Sequence, residues 1–349
     1  MTNTISAISA DKNSDTAASC AVIILNWNGE ALLKRYLPSV QNNTGRVGRV
    51  IVADNGSTDG SLQLLRQDFP GVEVWAFDKN YGFAGGYNRA LARAQAEGYE
   101  YTVLLNSDVE TPAGWLEPLV AFMDAHADAG AVQPKILSDT ARDTFEYAGA
   151  SGGFIDCHGY PYCRGRILAT CEKDSGQYDD PIPVFWATGA AMTVRTKVYL
   201  ETGGLDEAFF AHMEEIDLCW RMLLVGYGVY VVPASHVYHL GGGSLPASNP
   251  RKTYLNFRNN LLLLHKNLPD STRRRKLFVR RLLDTVAFAK FALTLDFDNA
   301  RAVLKAHRDF RRMSKAYTGH PDVDLLDSRN DTHRNILTDY YLRHRRTFA

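Results

Sequence analysis

Cysteine is scarce and odd in number, five in 349 residues, which argues against a disulfide framework. Cys157, Cys163 and Cys171 gather near His158, but at no spacing that zinc sites use. Cys20 and Cys219 lie among apolar residues and read as buried thiols. Free thiols point to a reducing compartment. Long hydrophobic runs are also missing. No stretch reaches the roughly 18 apolar residues that a bilayer span needs. The nearest, residues 282–295, is short and contains Asp284 and Lys290. Residues 1–19 have neither the basic start nor the apolar core of a signal peptide; they read as a disordered tail. The expected location is cytoplasmic, with peripheral contact at the inner face of the cell membrane.

Net charge is absent as well, 39 basic against 39 acidic residues, but the balance hides an asymmetry. Residues 251–349 hold 22 Lys plus Arg against 10 Asp plus Glu, while residues 1–250 hold 17 Lys plus Arg against 29 Asp plus Glu. The acidic part suits a metal-dependent site. The basic part suits phosphate groups or an anionic membrane. No nucleic-acid motif accompanies it, so nucleic acid is not an expected partner.

What is present is an alternation of strands and helices. Residues 21–25, 49–53, 72–77 and 101–105 are apolar runs of the kind buried on both faces of a parallel sheet. Helical stretches at 31–40, 61–67 and 88–96 fall between them, and a fourth at 115–126 follows. This order predicts an α/β fold with a mostly parallel, doubly wound sheet. Thr58 is expected to cap the second helix. Residues 141–181, rich in Gly, Tyr, Asp and Pro, read as hairpins and a long loop. A strand is expected over 184–194, a helix over 216–225 and a strand over 228–232. Helices follow at 252–268 and 272–315. The expected division is a tail, a catalytic domain over 20–250 and a basic, mainly helical region over 251–349.

Chemistry-bearing residues fall at strand ends, where ligands of α/β sheets gather. Asn106-Ser107-Asp108 follows the fourth strand, and Asp108 can offer oxygen to Mg²⁺ or Mn²⁺. Asp54, after the second strand, can accept from a ring N–H of uracil or thymine or from a ribose hydroxyl. The glycine-rich segment 80–89 opens a helix and allows close approach to a phosphate or sugar. It follows the third strand and not the first, which excludes a nicotinamide fingerprint. Residues 188–191 are small enough for a ligand to approach closely. Glu214, Glu215 and Asp217 sit near a helix start, a place for a general base. Glu214 and Asp217 share a face there, and Glu215 points elsewhere. His236, His239 and the glycines at 241–243 form a further candidate phosphate or metal contact.

Taken in order, these segments resemble the inverting glycosyltransferases of family two, with a GT-A fold. The resemblance is to the rhamnosyltransferase-like members that build bacterial surface polysaccharides. It rests on residues 22–29, 52–60, 80–88, 104–108, 189–191, 203–207, 214–218 and His239. It implies donor binding by Asn26, Asn28, Asp54, Asn80, Gly82, Asn88, Asn106 and Ser107. Gly189, Ala190 and Asp206 fall on the acceptor side, and Asp108 and His239 at a divalent cation, Mg²⁺ or Mn²⁺. The second acid of the family's Glu-Asp pair is here Glu215, so Glu214 and Asp217 stay open beside it as the base. The implied donor is a nucleoside-diphosphate sugar, dTDP-rhamnose or a UDP-sugar. The implied acceptor is a glycan or lipid-linked glycan, and a homo-oligomer is an expected assembly. The alternatives are a nucleotidyltransferase, which lacks its glycine-rich basic loop here, and a non-catalytic glycan-binding subunit.

Overall fold

The structure, a computed structural model, describes residues 19–241 and 249–348. Most of the proposed tail and the glycines at 242–243 therefore lie outside the described residues. Four parallel strands form one half of the main sheet: β1 (Cys20–Asn26), β2 (Gly48–Asp54), β3 (Glu73–Ala76) and β4 (Tyr101–Leu105). Three helices cross between them: α1 (Glu30–Asn43), α2 (Ser61–Asp68) and α3 (Gly82–Ala96). β1 is buried almost throughout because helices cover both faces, as its unbroken apolar run requires. The register sets Asn26 beside Asp54 and Ile24 beside Leu105. The three turns that follow β1, β2 and β4 thus open at one edge.

The other half of the sheet mixes directions. The short β5 (Val109–Glu110), helix α4 (Glu117–Ala125) and the long β6 (Ala129–Ser138) come first. The small strands β7 (Gly153–Ile155), β8 (Pro161–Cys163), β9 (Arg166–Ile167) and β10 (Thr170–Cys171) make a separate antiparallel sheet. The chain returns through β11 (Ile182–Pro183), β12 (Ala191–Arg195), α5 (Thr196–Glu201), α6 (Glu214–Leu224) and β13 (Gly228–His239). The main sheet runs β11-β13-β6-β12-β4-β1-β2-β3, with β5 paired to β13. β12 is antiparallel to β4 and β6, and β13 is parallel to β6. Cys20 and Cys219 are fully buried, as expected.

Several expectations are corrected. The strand over 184–194 shortens to β12 alone: Val184 still bonds Val229 of β13, but Phe185 and Trp186 turn to bond Gly153 of the small sheet. β6 had no clean apolar signature, since Pro134 and Lys135 interrupt it. The register with β13 shifts between Val231 and His236, opposite Gln133 and Lys135. An irregularity there tolerates a residue without an N–H. Gly60, not Thr58, occupies the cap position of α2; the Thr58 N–H instead donates to Asn28 Oδ1 at 2.7 Å. Within α3, Gly86 serves packing: a Cβ there would meet Leu25 Cδ1 at 2.7 Å.

The C-terminal region forms α7 (Pro250–Asn267), α8 (Asp270–Leu293), α9 (Phe297–Met313) and the short α10 (Leu325–Ser328). The expected helix over 272–315 breaks between α8 and α9. Leu295 stands there at φ +60, a conformation that no helix interior continues. Asp296 then caps α9, accepting from the Asn299 N–H.

Candidate active site

At the edge where β1, β2 and β4 end, the first turns are laced together. Asn26 Nδ2 donates to Asp54 Oδ1 at 3.0 Å and to Ser57 Oγ at 3.2 Å. The Ser57 N–H donates to Asp54 Oδ2 at 3.0 Å. Asp54 is fully buried, each oxygen already holding one donor. Asn26 Oδ1 is buried without a partner. Asn28 holds φ +51 and accepts from the Thr58 N–H, so its side chain joins two turns. Asn80 Oδ1 accepts from Asn55 Nδ2 at 3.0 Å and from the Gly82 N–H at 2.7 Å. Gly82 sits at φ +73 with open space where a side chain would begin. Asn88 turns inward instead. It donates to Leu205 O and accepts from Tyr199 Oη and the Leu205 N–H, which fixes the turn at Gly204. Its amide is thus engaged within the protein.

The turn after β4 meets the end of β13. Asp108 Oδ1 lies 3.2 Å from His239 Nε2, because β5 pairs Val109 with His239. Asn106 Nδ2 is 3.5 Å from the same nitrogen. Behind the ring, Glu146 Oε2 lies 3.4 Å from His239 Nδ1. Burial alone would lower the imidazole's pKa, but the two carboxylates raise it to about 10. Burial would likewise raise the Asp108 carboxyl, yet the His239 contact holds it below its usual value. Among the described residues no group of three His, Cys, Asp or Glu side chains converges as a closed metal cage. A hard oxygen and an imidazole facing each other suit a cation that takes its other ligands from phosphate and water. His236 stands apart, paired along β13 with Lys135. Glu146 carried no sequence signal, since it lies in a hairpin region far along the chain from His239.

The acidic helix start divides its three carboxylates. Asp217 is fully buried and saturated by Arg221 Nε at 2.9 Å, Lys266 Nζ at 2.8 Å and Asn267 Nδ2 at 2.8 Å. Asp206 shares Lys266 at 2.8 Å and accepts from Tyr317 Oη at 2.8 Å. Both are tied to the C-terminal helices. Glu214 and Glu215 differ: each has a buried Oε2 with no hydrogen-bond partner. Burial, then the neighbouring Glu215 charge, pushes Glu214 well above the ordinary carboxyl range. Burial pushes Glu215 up to about 7. Gly189 adjoins this pair, since a Cβ there would stand 3.9 Å from Glu215 Cβ. Its neighbour Ala190 accepts from the Asn106 N–H at 2.9 Å. The 189–190 turn therefore sits between the Asp108–His239 pair and the unpartnered acids.

The segment entering α6 is strained. Phe210, His212 and Met213 hold φ of +68, +68 and +76, a region costly for residues with side chains. α7 pins it in place. Asn259 Nδ2 lies 2.9, 2.8 and 2.7 Å from the carbonyls of Phe209, Ala211 and His212. Arg258 Nη2 donates to Phe209 O at 2.7 Å, and its Nε donates to Asn259 Oδ1 at 2.8 Å. Sequence reading did not single out Arg258 or Asn259, because nothing in a helical stretch reveals which loop it will grip.

Residues 21–186 match the family model for glycosyl transferase family 2. The chain is 27% identical over 231 residues to the N-acetylglucosaminyl-diphospho-decaprenol L-rhamnosyltransferase of Mycobacterium tuberculosis, covering 62% of this chain and 75% of that one. It is 25% identical over 223 residues to rhamnosyltransferase WbbL of Escherichia coli, with 62% and 82% covered. Among solved structures, S. aureus TarS superimposes with TM-score 0.53 at 18% identity, over 86% of this chain and 83% of that one. GalNAc-T7 with UDP, GalNAc and Mn²⁺ gives TM-score 0.55 at 15% identity, over 73% and 49%. At those identities the structural likenesses establish the GT-A fold alone.

Proposed function

We propose that the chain, whose residues 21–186 match the family model for glycosyl transferase family 2, moves a sugar from a nucleoside-diphosphate donor to a glycan hydroxyl with inversion. Rhamnose from dTDP-rhamnose is the first choice of donor, and a UDP-sugar the second. The rhamnosyl relatives favour the first, and the UDP complex of GalNAc-T7 keeps the second open. The acceptor we assign is a lipid-linked glycan, after the diphospho-decaprenol substrate named for the mycobacterial relative. Residues 20–250 form the proposed catalytic part, and 251–349 a helical part that braces it.

One observation carries the reading. A charged Asp–His pair and an unpaired, proton-retaining Glu pair flank the same small-residue turn at 189–190. Asp108, and His239 once it has released its proton to the incoming ion's surroundings, would hold a divalent cation, Mg²⁺ or Mn²⁺. When bound, such an ion supplies positive charge to a departing diphosphate. Glu146, 3.4 Å behind the His239 ring, adds a second negative charge beside the imidazole. Asp54 keeps lone pairs beyond those given to Asn26 and Ser57, so it can accept a base ring N–H once the turn that buries it opens. Asn80 holds the Gly82 turn beside it.

On the other side, Glu215 Oε2 accepts the proton of the acceptor hydroxyl as that oxygen attacks the anomeric carbon. A pKa near 7 suits a base working at neutral pH. Glu214 stays protonated beside it, which relieves repulsion within the pair. Asp217 and Asp206 are braces in this reading, since both are consumed by Lys266. A single displacement inverts configuration and needs no covalent intermediate.

The test uses Glu215→Gln with an acceptor glycan and dTDP-rhamnose or UDP-sugars. Transfer should fall sharply while calorimetric donor affinity stays unchanged. Full transfer in the variant would move the base to another residue.

A further inference from the structure

Exposed large hydrophobic side chains are unevenly placed. Of the 14 among the described residues, seven fall between residues 278 and 304. Phe278, Leu282, Val286 and Leu293 stand on α8, spaced by 4, 4 and 7 residues. At 100° per residue they share a stripe roughly 80° wide. The opposite side of α8 is its buried side, and it is largely polar: Leu277, Arg280 and Asp284. Arg280 Nε donates to Asp284 at 2.9 Å, and His307 Nε2 lies 3.0 Å from the same carboxylate. This helix therefore buries its ion pairs and shows its apolar stripe to the outside, the reverse of a helix that docks on a core.

The stripe runs into an apolar corner. Leu293 is 84% exposed and Leu295 73%, with Phe297 just beyond. The corner is held tight by the Leu295 N–H on Ala292 O and the Asp296 N–H on Phe291 O. On α9, Leu304 faces outward while Ala302, Val303, Ala306 and Phe310 face in.

The surroundings are strongly basic. Residues 271–315 hold 13 Lys plus Arg against 4 Asp. Among the described residues, Arg274, Arg281 and Arg311 make no ion pair within 4.0 Å. Arg301 and Arg312 are exposed, each with only a longer contact of 3.5 or 3.6 Å. A second copy of this chain seated face to face would bring cation against cation. A bilayer with anionic headgroups offers the complementary pair, hydrocarbon for the stripe and phosphate for the arginines. Among the described residues no helix is long and apolar enough to cross a membrane, so the proposed contact is in-plane.

We propose that the outward faces of α8 and α9 rest on an anionic lipid bilayer, with the Leu293–Phe297 corner entering deepest. This deepens the lipid-linked acceptor assigned above, but the geometry stands without it and the test does not read transfer. Full-length protein is floated with vesicles of phosphatidylcholine alone and of phosphatidylcholine with phosphatidylglycerol. Binding to the anionic vesicles should exceed binding to the neutral ones about ten-fold and weaken with salt. The double variant Leu282→Asp, Leu293→Asp should lose anionic-vesicle binding about ten-fold or more, with melting temperature and nucleotide-induced thermal shift retained. Arg274→Gln, Arg281→Gln, Arg311→Gln should flatten the salt dependence. Equal flotation of wild type and the apolar variant overturns the proposal, as does wild-type protein that ignores anionic vesicles. A wild-type dimer in light scattering that the apolar variant dissociates overturns it in favour of an interface between copies.

Discussion

Asp108 and Glu215 stand at the same edge of the same sheet, both largely buried, and their environments drive them apart. Asp108 faces an imidazole that raises the worth of its negative charge, so its pKa is held down. Glu215 faces no cation, its Oε2 has no donor, and burial lifts it to about 7. In the proposed reaction two carboxylates in one site thus take opposite duties, one to keep a charge and one to receive a proton. Residue type alone does not assign roles. The assignment comes from the partner each oxygen meets.

Removing the charge-keeping partner should have the largest effect. Asp108→Ala should cut transfer by about a thousand-fold, the scale of several kcal/mol of charge stabilisation. Donor affinity with Mn²⁺ present, measured by calorimetry, should fall with it. Unchanged affinity would sink the metal assignment while leaving the base assignment standing. Next comes Glu215→Gln, with transfer expected to fall about a hundred-fold or more and donor affinity preserved.

A smaller effect is expected from loosening the brace that aims the acids. Asn259→Ala removes the amide that holds the Phe209, Ala211 and His212 carbonyls. Its kcat should fall about ten-fold, in line with a misplaced catalytic group. Donor KM should stay constant, and the acidic limb of the kcat profile should shift. An equal change in kcat and donor KM would mark Asn259 as a general fold element.

The pH dependence follows from the raised pKa of Glu215. The folded state keeps the proton over a range where the unfolded chain, near 4.5, has lost it. The stability this group contributes is therefore full below about 4.5 and is lost as pH rises through about 7. Wild type should lose melting temperature between those values relative to Glu215→Gln, and kcat should rise across the same window. Parallel melting curves for the two proteins would contradict the assignment. The smallest change is expected at Glu214→Gln. A side chain that is already protonated tolerates the amide, so transfer should stay within a few-fold of wild type. A loss as deep as that of Glu215→Gln would make the two acids joint bases.

The parallel half of the sheet was legible from sequence because its strands are apolar on both faces and its helices alternate with them. Asp54 and Asp108 followed, since strand ends are countable positions in a chain. The antiparallel half was harder to read. β6 hides its strand character behind Pro134 and Lys135, and an irregular stretch of distant β13 makes that tolerable. The break between α8 and α9 was missed because Leu295 is an ordinary helix former that takes φ +60 only in its tertiary setting.

The sequence by itself determined the order of elements, the carboxylates at the strand ends, the acidic start of α6 and the uneven charge of the two halves. These are properties of short windows, where periodicity and residue chemistry act locally. Only the tertiary structure separated Asp217 from Glu214 and Glu215, because Lys266 and Asn267 come from α7 to bond Asp217 and leave an oxygen of each of the other two without a partner. It alone brought Glu146 behind His239, tied Asn88 to Tyr199 and Leu205 and turned the apolar stripe of α8 outward. Each of these rests on contacts between residues tens to hundreds of positions apart, and a charge or an apolar face has no role until its partner, or the lack of one, is fixed in space.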